Sequence, residues 1–496
     1  MTKVGYNILC LIYGGITLTE HRLLLFIFGA TGDLASRKLY PAIYRLYKKD
    51  QISDNFAVIC TARRDWSNDH LRDKILKSIE SEIEDSIHAN EFVSHFYYQA
   101  HDVHDGDQYY KLNDLASELD EKYQTHSNRI FFISLSPSLF PEITRHLKEQ
   151  GLLDNSGFSR LIIEKPFGHN LKTAQELQKQ LTHSFAEHQI YRIDHYLGKE
   201  IVHSLRYLRF NNYVLRNIWN KTGINNVQIV LDEEVGVETR AAYYENSGVI
   251  RDMIQNHLLQ ILALAAMDQP QDDSSEALRK EKVNVLSNLI PYQDLKNVQA
   301  HVIRGQYGPS QDGRIKGYRQ ENNVNPQSNT ETFIAAKVSL NLPAWQGVPF
   351  FIRSGKRMKR KLSVINIVFN REHPHLEPNR LRIEIGPNLS YQMFINSKQP
   401  GYSNKNESIS FKFEYSSEEV QSMPVDYERL IYECIQGDLK NFNHYQEIAS
   451  AWKFVDSIIE LWDQAPQPRF PNYPADSDGP QACHDLLAEY GTKWYY

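Results

Sequence analysis

The chain of 496 residues is long enough for two or three domains, and its 41% hydrophobic and 23% charged residues are typical of a globular protein. A net charge of −6 gives no reason to expect nucleic acid or an anionic membrane surface as a partner. The four cysteines lie far apart, without the spacing of a zinc site or of a secreted disulfide framework. We therefore expect a cytoplasmic protein that needs no metal.

The first 22 residues are interpreted as an extension outside the fold. The stretch Ile8–Ile12 is apolar, but it is too short to span a membrane and no clear small-residue cleavage site follows it. No other segment of the sequence is apolar over a length that could span a membrane. We therefore expect the folded protein to begin at about residue 23.

The first predicted strand, Leu23–Phe28, is apolar throughout, as a parallel strand buried on both faces should be. It leads into the turn GATGDLA at 29–35 and then into a helical pattern. This order is typical of a phosphate-binding unit, because glycine lets the backbone approach a pyrophosphate and the helix N-terminus presents free N–H groups. The spacing is GxxGxxA and not GxGxxG, so an ordinary strand-to-helix turn is the alternative.

The second predicted strand, Phe56–Cys60, is followed by the sequence TARR at 61–64. NAD-selective sites commonly place a carboxylate here for the adenosine ribose. Arg63 and Arg64 instead suit a 2′-phosphate, which a guanidinium can bind with two hydrogen bonds. We therefore predict NADP as the coenzyme. NAD is an alternative because an arginine can also stack on adenine, and a solvated basic turn is the non-functional interpretation.

Two more apolar strands are predicted at 129–134 and 160–163, with amphipathic helical patterns at 112–123 and 141–151. Alternating strands and helices predict a doubly wound parallel sheet, the Rossmann arrangement, over residues 23–195. The strand ending at Ile163 is followed by EKPFG. Lys165 is therefore expected at the carboxyl end of a parallel strand, where ligands bind.

The segment RIDHYLGKE at 192–200 has the highest density of unlike polar groups in the chain, with Asp194, His195, Tyr196 and Lys199. A carboxylate can orient and charge an imidazole, and histidine with lysine can bind a phosphate dianion. Such groups are costly to bury, so the segment indicates a functional site. A solvated turn is the alternative.

From about Val227 the predicted strands change character. Segments at 227–231, 333–338, 364–369 and 382–385 predict strands, and several alternate polar with apolar residues. This alternation is typical of an antiparallel sheet with one face toward water or ligand. The expected fold class is therefore α/β, with the doubly wound domain over 23–195 and a C-terminal β+α domain over 196–496 that contains a large, mainly antiparallel sheet.

A helix is predicted over 250–267, because apolar residues recur at 250, 254, 258, 261 and 265. His257 falls within this apolar stripe, so a buried structural histidine is a serious alternative to a catalytic one. Asp252 lies about 140° away around the same helix, so the two side chains need not touch.

A third polar cluster is RSGKRMKRK at 353–361, which contains six cations next to a predicted strand. The cluster could ligate a phosphate. From composition alone, a solvated basic loop is an equally reasonable interpretation.

Together these motifs resemble the glucose-6-phosphate dehydrogenase family. GATGDLA, EKPFG, RIDHYLGKE, RDMIQNH and RSGK occur in that family's order and approximate spacing, and the likeness runs from about residue 23 to the C-terminus. The resemblance implies oxidation of glucose 6-phosphate at C1 to 6-phosphoglucono-1,5-lactone with hydride transfer to NADP, the first step of the oxidative pentose phosphate pathway. It also implies a homodimer or homotetramer formed through the sheet of the second domain.

The resemblance further implies roles for matched residues. His257 would be the general base that takes the proton from the C1 hydroxyl, and Asp194 would be its carboxylate partner. The implied substrate-binding residues are His195, Tyr196, Lys199, Lys165, Glu233, Asp252, Lys356 and Lys361. The coenzyme-binding residues are Gly29, Thr31, Gly32, Asp33, Lys38, Arg63 and Lys165, with Arg64 as a departure from the family pattern that leaves coenzyme preference open.

Two other functions are alternatives. A dehydrogenase for a different sugar or cyclitol would share the EKP turn but need no phosphate on its substrate, and the RIDHYLGKE and RSGK clusters disfavour it. A catalytically silent NADP or sugar-phosphate sensor would bind without turnover. Because Asp194 and His257 are both present, the sequence favours an enzyme.

Overall fold

The computed structural model describes residues 21–496, so the predicted extension lies almost wholly outside the described residues. The chain forms two compact units. The first extends to Ile163 and includes Ile431–Gly437, and the second consists of Glu164–Leu430 and Asp438–Tyr496. This division follows compactness, and the functional boundary expected near residue 195 stays a prediction.

The first unit is built on five parallel strands: β1 (Leu23–Phe28), β2 (Phe56–Ala62), β3 (Phe96–Ala100), β4 (Arg129–Ile133) and β5 (Ser159–Ile163). Their order across the sheet is β3-β2-β1-β4-β5. Every residue of β1 is buried, as its apolar sequence predicts for a central strand. The predicted doubly wound sheet is therefore confirmed, while the half-buried edge strand β3 was not predicted.

The helices of this unit cover the sheet. They are a π-helix at Ala35–Leu39 and α-helices at Tyr40–Lys48, Asn68–Ile79, Ser86–Ser94, Gly106–Tyr123 and Phe140–Glu149. The two helical patterns predicted at 112–123 and 141–151 are present with slightly different ends. The longer one begins six residues earlier than the pattern predicts, because Asp105 caps it by accepting a hydrogen bond from the Asp107 N–H.

The strands of the second unit are β6 (Ile190–Arg192), β7 (Ile224–Asp232), β8 (Val302–Gly305), β9 (Tyr307–Gly308), β10 (Phe333–Val338), β11 (Phe350–Gly355), β12 (Leu362–Phe369), β13 (Arg380–Gly386), β14 (Ser390–Lys398), β15 (Asn406–Glu414) and β16 (Tyr473–Pro474). Eight of them form one sheet in the order β15-β14-β13-β12-β7-β11-β10-β8. All its neighbouring pairs are antiparallel except β7 with β11. The large, mainly antiparallel sheet is confirmed.

The helices after residue 163 are Leu171–Leu181, Glu200–Phe210, Tyr213–Ile218, Ala241–Val249, a π-helix at Ile250–Leu258, Leu259–Ala266, Ser275–Ser287, Leu295–His301, Ser417–Ser422, Asp426–Gln436, Tyr445–Asp463 and Ala482–Ala488. Within the described residues, none of the helices is both long and apolar enough to cross a membrane.

The single α-helix predicted over 250–267 is wrong in its first half. Residues Ile250–Leu258 form a π-helix, and α-helical geometry begins at Leu259. The segment starts at a kink, where Gly248 has a φ of +59° and a ψ of 178°. The Glu331 carboxylate stands where a Cβ on Gly248 would lie, so glycine is required there.

Candidate active site

The π-helix places Asp252 and His257 on one face. Because hydrogen bonds in a π-helix run from residue i to i+5, side chains five residues apart lie one above the other. Both side chains contact the ammonium of Lys165, whose Nζ lies 3.2 Å from Asp252 Oδ1 and 2.9 Å from His257 Nε2. The predicted separation of about 140° assumed α-helical geometry and is therefore wrong for these two residues.

His257 forms a hydrogen-bonded pair with Asp194. The Nδ1 of the buried imidazole lies 2.5 Å from Asp194 Oδ1, which also accepts a 3.0 Å hydrogen bond from the Tyr196 N–H. An ionised carboxylate can only accept, so Nδ1 carries the proton and Nε2 keeps its lone pair. That lone pair is directed at the Lys165 ammonium. The pair therefore has the tautomer that a general base at Nε2 requires.

The charges around this pair set its protonation state. Burial opposes ionisation of Asp194, but the positive charge of its neighbours, His257 first, outweighs burial and lowers the pKa of Asp194 to about 2. Burial lowers the pKa of His257, and Lys165 adds to this effect while Asp194 opposes it. At neutral pH the pair is a carboxylate beside an uncharged imidazole, the state in which His257 can accept a proton.

Lys165 and Asp252 form a second buried charge pair. The Lys165 ammonium donates to the Asp252 backbone carbonyl at 3.0 Å as well as to its carboxylate. Burial opposes both charges, yet Asp252 raises the pKa of Lys165, and Lys165 with Lys356 holds the pKa of Asp252 well below its ordinary value. Both groups are therefore charged, and each compensates the burial of the other.

The ends of two neighbouring strands add Glu233 and Lys356. Glu233 follows β7 and Lys356 follows β11, and the Glu233 N–H donates to the Gly355 carbonyl at 2.9 Å. Lys356 Nζ donates to Glu233 Oε2 at 2.6 Å and lies 3.8 Å from Asp252 Oδ2. The parallel pairing of β7 with β11 thus brings a carboxylate and an ammonium to the Asp252 side of the π-helix.

Two residues of the RIDHYLGKE segment lie against the His257 ring, and Lys199 lies beside one of them. The rings of His195 and Tyr196 lie 4.7 Å and 4.6 Å from the His257 ring, and Lys199 Nζ lies 5.1 Å from the Tyr196 ring. Burial, followed by the charge of His257, keeps the pKa of His195 well below its ordinary value. The structure therefore brings this predicted cluster together with Lys165, Asp252 and His257.

The basic segment 353–361 does not act as one cluster. Arg353, Arg357 and Arg360 make ion pairs with Asp232, Glu321 and Asp478, at 2.7, 3.3 and 2.8 Å respectively. Of its remaining cations, Lys356 reaches the site. Lys361 is exposed and makes no hydrogen bond or ion pair within residues 21–496.

Two further residues near Asp252 were missed by sequence reasoning. Arg240 Nη2 lies 3.8 Å from Asp252 Oδ1, and the Tyr244 ring lies 4.9 Å from Lys356 Nζ. Both precede the π-helix in a stretch without a motif. A tyrosine and an arginine at helical spacing carry no signal of their own, so the sequence offered no way to find them.

Asp194, His195 and His257 also form a group whose ligand atoms lie within 4.8 Å of one another. A metal there would displace the proton that His257 shares with Asp194, and the Lys165 ammonium beside Nε2 opposes a second cation. The donor set therefore suits proton transfer better than metal binding. The expectation of no metal stays a prediction.

The glycine turn that follows β1 packs tightly against the neighbouring backbone. Gly29 has a φ of +89°, and a Cβ there would lie 2.5 Å from the Ser134 carbonyl oxygen, so glycine is required. The N–H groups of Gly29 and Ala30 donate to the Thr61 carbonyl at 2.9 and 3.1 Å. The predicted phosphate-binding turn therefore adjoins the end of β2, where Arg63 and Arg64 follow.

The polar groups around this turn face solvent. Gly32, Asp33, Lys38, Arg63 and Arg64 are exposed, and Thr31 is half-buried. Asp33 pairs with Arg37 at 3.3 Å, and the Arg64 guanidinium lies 5.6 Å from the ring of Trp66. A glycine turn that leads into a helix N-terminus, with exposed cations beside it, suits a dinucleotide that carries phosphates.

Comparison with protein families identifies the architecture. A model described as glucose-6-phosphate dehydrogenase, NAD binding domain, matches residues 26–204, and one described as glucose-6-phosphate dehydrogenase, C-terminal domain, matches residues 206–495. The chain belongs to the glucose-6-phosphate dehydrogenase family. A nicotinamide coenzyme follows from the first of these matches.

Individual relatives agree with this assignment. Glucose-6-phosphate 1-dehydrogenase of Streptococcus pneumoniae is 43% identical over 482 residues, covering 95% of this chain and 96% of the relative. The Bacillus subtilis enzyme of the same name is 42% identical, covering 97% and 99%. Each comparison spans both units, so the likeness is not confined to the dinucleotide-binding part.

Solved structures of the family have the same fold. A glucose-6-phosphate dehydrogenase in complex with its substrate glucose 6-phosphate matches with a TM-score of 0.89 and 34% identity, covering 96% of this chain and 99% of that structure. Glucose-6-phosphate 1-dehydrogenase from Mycobacterium avium matches with a TM-score of 0.80 and 29% identity, with the same coverage.

Proposed function

We propose that this protein oxidises glucose 6-phosphate at C1 to 6-phosphoglucono-1,5-lactone and transfers the hydride to NADP. The observation that carries the proposal is the buried pair of His257 and Asp194, with an uncharged Nε2 beside Lys165. The family assignment supports the substrate, because the relatives from S. pneumoniae and B. subtilis are named for this reaction.

The chain's own part in the chemistry is a proton transfer. Nε2 of His257 accepts the proton of the C1 hydroxyl while the C1–H bond breaks and its electron pair leaves as hydride, so that a C=O bond forms at C1. Asp194 stabilises the imidazolium that results. Lys165 donates to Nε2 in the structure, so the substrate hydroxyl takes over that position when it binds.

The remaining residues hold the substrate. His195, Tyr196 and Lys199 are proposed to bind the 6-phosphate, with Lys356 and the exposed Lys361 adding positive charge. Glu233 and Asp252 suit sugar hydroxyls, because carboxylates accept hydrogen bonds from them. Holding the phosphate at a distance from C1 supplies orientation, which accounts for much of the rate enhancement in reactions of this kind.

NADP is the coenzyme that best suits the residues present. Gly29 turns the chain with a φ of +89°, and Thr31, Gly32 and Asp33 follow it toward the N-terminus of the helix that contains Lys38, the kind of turn that suits a pyrophosphate. Arg63 and Arg64 suit the 2′-phosphate, and Lys165 is proposed to contact the coenzyme as well as the sugar. When bound, the nicotinamide ring accepts the hydride.

We also propose a homodimer or homotetramer formed through the large sheet. Its edge strand β15 is exposed along its whole length, and it carries the exposed apolar residues Ile409, Phe411 and Phe413. An open apolar edge is a liability unless another surface covers it. A cytoplasmic location and a role in the oxidative pentose phosphate pathway are part of the same proposal.

The test is the absorbance at 340 nm of purified protein with glucose 6-phosphate and either NADP or NAD, with glucose as the control sugar. We expect rapid reduction of NADP that requires the phosphate. Equal rates with glucose would favour a dehydrogenase for another sugar. Tight coenzyme binding by folded protein without reduction would favour a sensor.

A further inference from the structure

A polar cavity of about 360 Å³ lies in the second unit, beside the first turn of the π-helix. Ile250 and Arg251 of that helix line it, together with Arg304 of β8, Glu331 and, from the helix Tyr445–Asp463, Trp462 and Asp463. None of the residues proposed to bind substrate or coenzyme lines it. Its volume is at the lower end of the range for small-molecule sites, so it suits a small ligand.

Two guanidinium groups and two carboxylates face this cavity. Across the described residues, no ion pair joins Arg251 or Arg304 to Glu331 or Asp463, or to any other carboxylate. Arg251, Arg304 and Glu331 are half-buried and Asp463 is exposed, and Arg251 donates to the His169 carbonyl at 3.1 Å. Pairing with a carboxylate would offset the cost of burying the two guanidinium groups. The cavity therefore presents both signs of charge to whatever occupies it.

Arg304 is the best-placed recognition group. Its guanidinium lies 4.8 Å from the Trp462 ring, and its side chain makes no hydrogen bond in the part of the chain that the structure describes. Stacking uses the face of a guanidinium and leaves its edge of N–H donors available. A carboxylate matches such an edge with two parallel hydrogen bonds.

The carboxylates restrict the ligand class. A simple anion on Arg304 would also approach Glu331 and Asp463, whereas a simple cation on those carboxylates would approach Arg251 and Arg304. A ligand with both charges avoids either repulsion. We propose that this cavity binds a small zwitterion of the α-amino acid type, with its carboxylate on Arg304 and its ammonium toward Glu331 and Asp463.

The cavity is joined to the catalytic helix through Glu331. Its Oε1 accepts a 3.3 Å hydrogen bond from the Ile250 N–H, and its backbone carbonyl accepts one from Val249 at 3.0 Å. Arg251 directly precedes Asp252, which contacts Lys165. A ligand that binds Glu331 and Arg251 therefore contacts the start of the π-helix that holds Asp252 and His257. We expect such a ligand to change the activity from outside the substrate site.

The experiment titrates the full-length protein by isothermal calorimetry with each of the twenty free amino acids. At least one should bind the unmodified protein. Arg304→Leu should weaken that binding at least tenfold. Arg314→Leu is the matched control, because Arg314 is exposed and pairs only locally with Asp312, and it should leave binding unchanged. Binding is measured without substrate, so this test does not depend on the proposed reaction.

The outcomes separate clearly. If no amino acid binds, or if Arg304→Leu binds as tightly as the unmodified protein, the site is wrongly assigned. If one binds and Arg304→Leu abolishes it, that amino acid should change kcat or KM of glucose 6-phosphate oxidation in the unmodified protein and not in Arg304→Leu. Binding that leaves both parameters unchanged would overturn the link to the π-helix.

Discussion

The glycine turn at 29–35 and the buried network of Asp194, His257, Lys165 and Asp252 depend on different features to bind their proposed ligands. At the turn, the required feature is backbone geometry at Gly29, and the charged side chains nearby, Arg63 and Arg64 among them, are exposed. In the network, His257 and Asp252 are at most 3% exposed, Asp252 is paired with the Lys165 ammonium, and the imidazole of His257 is hydrogen-bonded to the Asp194 carboxylate. We infer that substitutions in the network have large effects because removing one charge leaves its partner buried, whereas exposed arginines can change with graded effects.

The largest effect that this contrast predicts is that of His257→Asn. Without the imidazole the C1 hydroxyl has no proton acceptor, so kcat should fall by about 10³, within the range of general base catalysis. KM for glucose 6-phosphate should change little. The measurement is steady-state reduction of NADP at 340 nm, with the exposed His188→Asn as control. A near-normal kcat in the folded variant would show that another group is the base.

Asp194→Asn should give the next largest effect, a fall in kcat of about 10² because the imidazolium loses its stabilising carboxylate. Removing the carboxylate also removes the charge that raises the pKa of His257. The base must be uncharged to act, so the acid limb of the kcat/KM profile should move to lower pH. Titration of the substrate phosphate would not shift between the two proteins, so an unmoved limb would assign it to the substrate.

Gly29→Ala tests the claim that the coenzyme turn depends on its backbone. An alanine Cβ would meet the Ser134 carbonyl at 2.5 Å in a conformation with positive φ, so the free energy of unfolding should fall by about 1–3 kcal/mol. NADP binding should weaken in parallel. Gly386→Ala is the control, since a Cβ there meets nothing within 4 Å. Equal stability of the two variants, measured by urea unfolding, would contradict the argument.

The smallest effect is expected from the double variant Arg63→Ala with Arg64→Ala. Loss of hydrogen bonds to the 2′-phosphate, about 1.5–3 kcal/mol, should raise KM for NADP roughly tenfold to a hundredfold. KM for NAD should change little, because NAD lacks that phosphate. The exposed Arg216→Ala serves as control. Parallel increases in both KM values would mean that the arginines bind adenine and do not select the coenzyme.

Much of the fold could be predicted from local pattern. The apolar run at Leu23–Phe28 indicated a central parallel strand, and the alternating strands after Val227 indicated an antiparallel sheet. The edge strand β15 and its neighbour β14 were missed, although Ile409, Phe411 and Phe413 of β15 alternate with polar residues as strand residues do. At the site, the residue types and their motifs were visible, whereas the contacts among them were not.

By itself the sequence determined the alternation of strands and helices around β1, the glycine turn after that strand, and the set of acids, bases and cations available for chemistry. Only the tertiary structure decided which of these groups meet. At the Gly248 kink, Glu331, distant in sequence, accepts hydrogen bonds from the Val249 and Ile250 N–H groups, where the π-helical segment 250–258 begins. That change from α-helical geometry aligns Asp252 with His257 on Lys165. Hydrogen bonds between distant residues decide such a geometry, and periodicity within a segment cannot report them.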